Sequence, residues 1–132
     1  MSTGLKYILV DDDDVSNAVS SMILEDAFGE VDITAFNRPE EGLDFIEKEY
    51  PNDWGHTILF LDINMPKING WQFLERYEKF SEEIKQQISI YMLSSSIDRR
   101  DKTKAEANPN VEGFISKPLD IEVLTSIAEK EF

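Results

Sequence analysis

The chain has 132 residues, 41% of them hydrophobic and 11% aromatic, enough for one domain with a real core and too apolar for a disordered tail. Its 27 acidic and 13 basic residues give a formal net charge of −14, which argues against nucleic acid and against an anionic membrane surface, since both select cations. Cysteine is absent, which excludes disulfides and thiolate metal sites.

Met1 to Gly4 lack the apolar core of a signal peptide, and no apolar run approaches the ~20 residues needed to span a bilayer. The expectation is a soluble cytoplasmic protein, one domain over residues 1–132 with nothing attached at either end. Leu5 to Val10 reads as the first strand and runs into Asp11-Asp12-Asp13-Asp14. Val15, Ala18, Val19, Met22 and Ile23 follow at helical spacing, closed by Phe28-Gly29. Val31 to Phe36 alternates as a second strand. Leu43, Ile46 and Tyr50 mark a second helix, opened by Arg38-Pro39 and stopped before Pro51.

The lone histidine, His56, stands just before the third strand and is expected at the surface or a sheet edge. Thr57 to Leu61 is a continuous apolar run ending on Asp62, and Asn69-Gly70 punctuates the loop after it. Phe73, Leu74 and Tyr77 repeat at helical spacing. Gln87 to Leu93 is the fourth strand and stops at Ser94. Ile97 to Ala107 is a weak helix, with Ile97, Ala105 and Ala107 nearly its only apolar residues. Val111 to Ile115 is a short fifth strand leading to Ser116-Lys117-Pro118. A last helix carries Ile121, Leu124, Ile127 and Ala128 on one face before the chain stops at Phe132. Five βα units make an α/β domain with a parallel sheet.

In an open α/β sheet the ligand site lies outside the carboxyl ends of the strands. Four strands end there on carboxylates, a hydroxyl and a lysine, which is the chemistry of a metal-and-phosphate site. Four successive aspartates repel one another at about 4 kcal/mol per close pair at an effective dielectric near 20. A hard divalent cation such as Mg²⁺ relieves that repulsion with oxygen ligands. Asp11 and Asp12, nearest the strand end, are the metal candidates; Asp14 reads as the helix cap, and Asp13 stays open between the two roles. A calcium loop of the EF-hand kind fails, because its sixth position would be Asn17 and its twelfth Ile23.

Asp62 would be costly at the end of a buried strand unless it meets a cation or donors. Lys117 is a candidate for that cation and for a bound phosphoryl group. Ser94, first of Ser94-Ser95-Ser96, is a candidate phosphate contact by its position alone, since such clusters otherwise cap helices.

Four motifs in order, Ile8-Leu9-Val10-Asp11-Asp12, Leu61-Asp62-Ile63-Asn64-Met65-Pro66 through Gly70, Met92-Leu93-Ser94-Ser95 and Phe114-Ile115-Ser116-Lys117-Pro118, resemble those of the receiver domains of two-component response regulators. The resemblance covers essentially the full length. It implies a flavodoxin-like, doubly wound, five-stranded parallel sheet of order 2-1-3-4-5, with five helices over both faces. It implies that Asp62 accepts a phosphoryl group from a histidine kinase or phosphotransfer protein. Mg²⁺, with Mn²⁺ as a substitute, would be bound by Asp12 and Asp62, with Asp11 assisting through water and Asn64 through its backbone carbonyl. Ser94 is similar to the switch hydroxyl, Phe114 to the switch aromatic, and Lys117, before a proline that is usually cis, to the phosphate-contacting lysine.

The resemblance implies a self-phosphorylating signalling protein rather than a turnover enzyme, acting in trans on a downstream protein that the sequence does not name. The weak helix carries Arg99, Arg100, Lys102 and Lys104, either a solvated face or a docking patch exposed on activation. Two rivals use similar parts. An aspartate-nucleophile phosphatase of the haloacid-dehalogenase type needs Asp at Asn64 and Thr at Pro66. A nucleotide module needs a glycine-rich loop, and the six glycines are scattered. A receiver used only for protein binding is a third alternative.

Overall fold

The structure is a computed structural model and describes residues 5–50, 55–96 and 98–131. Met1 to Gly4, Pro51, Ile97 and Phe132, each given a part above, lie outside the described residues. Five strands form one parallel sheet: β1 (Lys6–Val10), β2 (Asp32–Phe36), β3 (Thr57–Asp62), β4 (Ile88–Ser94) and β5 (Val111–Ser116), in the order β2-β1-β3-β4-β5. The helices are α1 (Asp14–Phe28), α2 (Pro39–Asp44, continued by a π-helical segment, Phe45–Glu49), α3 (Gly70–Tyr77), α4 (Glu82–Gln87), α5 (Arg99–Ala107) and α6 (Ile121–Glu131).

The central strands are apolar throughout because both of their faces are covered. Ile8, Val10, Leu59, Leu61, Ile90 and Met92 point to one side, into a core shared with Leu43, Ile46, Phe73, Leu74 and Tyr77. The alternate residues Tyr7, Leu9, Ile58, Phe60, Tyr91 and Leu93 pack on Leu24, Leu124, Ile127 and Ala128. Leu61 is fully buried, so its truncation to alanine costs about 3 kcal/mol. Edge strands β2 and β5 are only partly covered.

Among the described residues six helices replace the expected five. The additional one, α4, is a single short element with no apolar stripe, so helical periodicity could not mark it. It starts from Ser81, whose hydroxyl accepts from the Ile84 amide, with Glu82 and Glu83 in its first turn.

The spacing on α1 also misleads about its facing. Val15, Val19 and Met22 are 70%, 40% and 62% exposed, and Asn17, Ser20 and Leu24 are the buried positions. The inward face meets strand-end carbonyls, and Asn17 answers them: its amide donates to the Asp11 carbonyl at 3.0 Å and the Phe36 carbonyl at 3.3 Å. Ile121 is likewise half-exposed, and the neighbouring core position is filled by Leu119.

Helix α5 buries only Ala105. It is fastened to α3 by the Trp71 indole N–H, which donates to Asp101 at 3.1 Å, and by Lys104 above the Trp71 ring. Arg100 turns back on its own N-cap, Asp98.

Candidate functional site

The chain leaves β1 outward to β2 and returns across it to β3, so the crevice of the sheet opens between the ends of β1 and β3. Register puts Val10 beside Leu61, which brings Asp11 and Asp62 next to one another just beyond the paired strands. One carboxylate oxygen from each of Asp11, Asp12 and Asp62 lies within 4.8 Å of the others. Asp11 and Asp62 are buried and Asp12 is exposed.

Lys117 Nζ sits between the two buried carboxylates, 2.5 Å from Asp11 Oδ2 and 3.1 Å from Asp62 Oδ1. Its backbone is held too, the Lys117 amide donating to the Ser94 carbonyl at 2.8 Å, and its bond to Pro118 is cis. Burial would lower the Lys117 ammonium, but the contacts with Asp11 and Asp62 outweigh it and the group is held above its ordinary value. For Asp62, burial raises the carboxyl above its ordinary value and the Asp11 charge adds to this; Lys117 opposes both without cancelling them, and Asp12 adds a little more. Three carboxylates facing one lysine leave a negative, all-oxygen cluster, the donor set that a hard divalent cation selects.

Asp13 takes the capping role expected of Asp14. Its Oδ1 accepts from the Val15 and Ser16 amides, and its own amide donates to Asp11 Oδ1 at 3.0 Å. Asp14 is the first helical residue and accepts from the Asn37 side chain at 2.9 Å. The Asp11 amide still bonds the Phe36 carbonyl at 3.1 Å, so the chain leaves the sheet after Asp11 and reaches the cap one residue earlier than expected.

The loop after β3 is fixed by Asn69, whose side chain caps α3 in a reciprocal pair with Gln72. Gly70, read above as loop punctuation, is the first residue of that helix. A Cβ there would lie 2.9 Å from the Asp62 carbonyl oxygen and 3.0 Å from Ile63 Cα, so only glycine lets α3 start against the end of β3. Asn64 is exposed in this loop.

Ser94 ends β4 one residue beyond the register partner of Asp62. It is fully buried, and its hydroxyl donates to the Ser96 carbonyl at 2.6 Å. Ser95 is exposed, and Phe114 is half-buried on β5 beside Met92, packed against the core. The structure thus gathers Asp11, Asp12, Asp62 and Lys117 directly, while Ser94 is turned to its own loop.

Sequence reading missed Asn17, which ties α1 to the ends of β1 and β2; as one of several polar residues on that helix it carried no signal of the role. It also missed a cluster at the far end of the sheet. Glu131 accepts from Ser89 at 2.7 Å, Tyr91 at 2.6 Å and His56 at 2.8 Å. His56, expected at the surface or an edge, is partly buried in that cluster.

Fold and site define an α/β domain with a cluster of carboxylates and one lysine at the switch point of its sheet. The sequence profile described as "Response regulator receiver domain" matches residues 7–129. The crystal structure of a response regulator receiver protein from Dyadobacter fermentans DSM 18053 is 29% identical, with a TM-score of 0.89 over 97% of this chain and 98% of that one. A two-component response regulator from Cytophaga hutchinsonii is also 29% identical, with a TM-score of 0.84 over 96% and 95%. The "Probable transcriptional regulator ycf29" of Porphyra purpurea is 31% identical over 121 residues, 91% of this chain and 53% of that protein; the chain therefore spans about half the length of this relative.

The chain belongs to the response regulator receiver family. Receiver domains are phosphoacceptors of two-component signalling, work with histidine kinases or phosphotransfer proteins, and are signalling proteins rather than turnover enzymes. They bind Mg²⁺ at an acidic aspartate cluster. Among the described residues, no helix is long and apolar enough to cross a membrane.

Proposed function

We propose that Asp62 is the phosphoryl acceptor of this receiver, taking the group from the phosphohistidine of a kinase or phosphotransfer protein and passing the signal on by a change of shape. The observation that supports this most is the Lys117 ammonium bridging Asp11 and Asp62 beside an exposed Asp12. Asp11, Asp12 and Asp62, with the Asn64 carbonyl, would hold Mg²⁺, which when bound supplies positive charge against the phosphoryl oxygens.

Asp62 attacks phosphorus with a carboxylate oxygen as the bond from phosphorus to the donor's imidazole nitrogen breaks, its electron pair returning to the imidazole. The lysine that now bridges two carboxylates then faces the transferring group and offsets part of its charge. Asp11, hydrogen-bonded by the Asp13 amide, keeps Lys117 aimed. The Ser94 hydroxyl exchanges the Ser96 carbonyl for a phosphoryl oxygen, and Phe114 turns into the space it leaves. Helix α5, with one buried side chain and a clasp to Trp71, follows Ser94 and has little buried surface to lose by shifting.

Intact-mass spectrometry after incubation with acetyl phosphate tests the reading. One phosphoryl group is gained with Mg²⁺, and none with excess chelator or in Asp62→Asn. Labelling that persists in Asp62→Asn overturns the assignment of the acceptor. The output surface has its own test: charge reversal at Arg99 and Arg100 spares phosphorylation and weakens capture of a downstream protein, and unchanged affinity in a pull-down sinks that part.

A further inference from the structure

Beside the acceptor site, on the side away from Ser94, lies a cavity of about 290 Å³ lined by Asp12, Asn37, Arg38, Pro39, Glu40, Pro66 and Lys67. It shares Asp12 with the carboxylate cluster and is formed by the loops after β1, β2 and β3. Its walls are set before any ligand arrives. Pro39 and Pro66 have fixed backbone angles, and the Asn37 side chain is bound to Asp14. Its two cations are free to act. Lys67 has no ion pair among the described residues, and Arg38 is 76% exposed with only a 3.7 Å approach to Glu41. Against them stand Asp12, committed to the acidic cluster, and Glu40. In a chain of net charge −14, Arg38 and Lys67 balance the charges of Asp12 and Glu40 and place two cations with donors for an anion beside the carboxylate cluster.

We infer that this pocket receives the carboxylate leaving group of a small acyl-phosphate donor. The inference rests on Asp62 being the acceptor. As an Asp62 oxygen bonds to phosphorus, the bond from phosphorus to the acyl oxygen breaks. Its electron pair departs on that oxygen as a free carboxylate, with no proton transferred. Lys117 faces the phosphoryl end, and Arg38 and Lys67 face the charge that grows on the departing end. The pocket therefore selects donors by the charge of what they release.

The test compares acetyl phosphate, which releases acetate, with phosphoramidate, which releases neutral ammonia, by intact-mass kinetics on the full chain with Mg²⁺. Arg38→Gln/Lys67→Gln lowers the rate constant with acetyl phosphate about fivefold and changes that with phosphoramidate by less than about twofold. Glu40→Gln moves the ratio of the two the other way. Arg100→Gln/Lys102→Gln removes the same charge from α5 and leaves the ratio unchanged. Equal losses with both donors, no loss with either, or the same shift in the α5 variant overturn the pocket while leaving Asp62 as the acceptor. A wild-type chain labelled by neither donor overturns the acceptor reading and the pocket with it.

Discussion

Asp62, at the carboxyl end of β3, and Glu131, packed against the amino-terminal side of β3 and β4, have side chains only 7% and 9% exposed, yet their surroundings push them in opposite directions. At Glu131, burial alone would raise the carboxyl, but donors from Tyr91, Ser89 and His56 overcome it and hold the group below its ordinary value. Asp62 is bound by a single lysine that it shares with Asp11, and burial with the Asp11 charge holds it above. The comparison separates two uses of a buried charge. An anchor is given a donor for nearly every lone pair and stays where it is. Asp62, which on the proposed function takes on a new bond, is left short of donors and next to other carboxylates.

The contrast can be attacked from either end. The largest effect belongs to Lys117→Met, which leaves Asp11 and Asp62 facing each other without a cation and costs about 3 kcal/mol in a urea titration with chelator. Next is Glu131→Gln, which gives up charge-assisted hydrogen bonds from Ser89, Tyr91 and His56 and costs about 2 kcal/mol in the same titration. The same carboxylate-to-amide change at the other end, Asp62→Asn, removes a repelled charge and raises stability by about 1 kcal/mol. A loss at Asp62 comparable to that at Glu131 would show that both ends are anchors and break the comparison.

The carboxyl end of the sheet is far more legible in the sequence than the end around Glu131, for a physical reason. A strand covered on both faces must be apolar throughout, so β1, β3 and β4 stand out, and a polar residue at their limit is conspicuous. Asp11, Asp62 and Ser94 stand out that way, whereas Lys117 follows the half-covered edge strand β5 and is marked by its place before Pro118. Glu131 and His56 are 75 positions apart and neither interrupts an apolar run, so only the folded chain brings them together. Facing was the other blind spot. Val15, Val19 and Met22 of α1 point outward while Asn17 faces inward and satisfies the carbonyls of Asp11 and Phe36, and a hydrophobic pattern cannot register a hydrogen-bonding demand. The cap on Asp13 rather than Asp14 turned on a one-residue difference inside a run of identical residues, where side-chain chemistry carries no information. The short helix α4 had no stripe at all.

The smallest effect, and the most discriminating, is the pH dependence of these differences. Glu131 has a depressed carboxyl, so its contribution to stability is complete above the ordinary value of 4.5 and is lost as pH falls through the folded-state value. Asp62 has a raised carboxyl, so its penalty is complete above the folded-state value and is relieved as pH falls through it towards 3.8. Urea midpoints of the wild type, Glu131→Gln and Asp62→Asn between about pH 7 and pH 3 read both at once. Wild type starts above Glu131→Gln and below Asp62→Asn, and acidification closes both gaps, the first because an anchor is lost and the second because a strain is released. A gap to Asp62→Asn that widens on acidification would mean that Asp62 is stabilised as an anion in the folded chain, held by Lys117 as firmly as Glu131 is by its three donors.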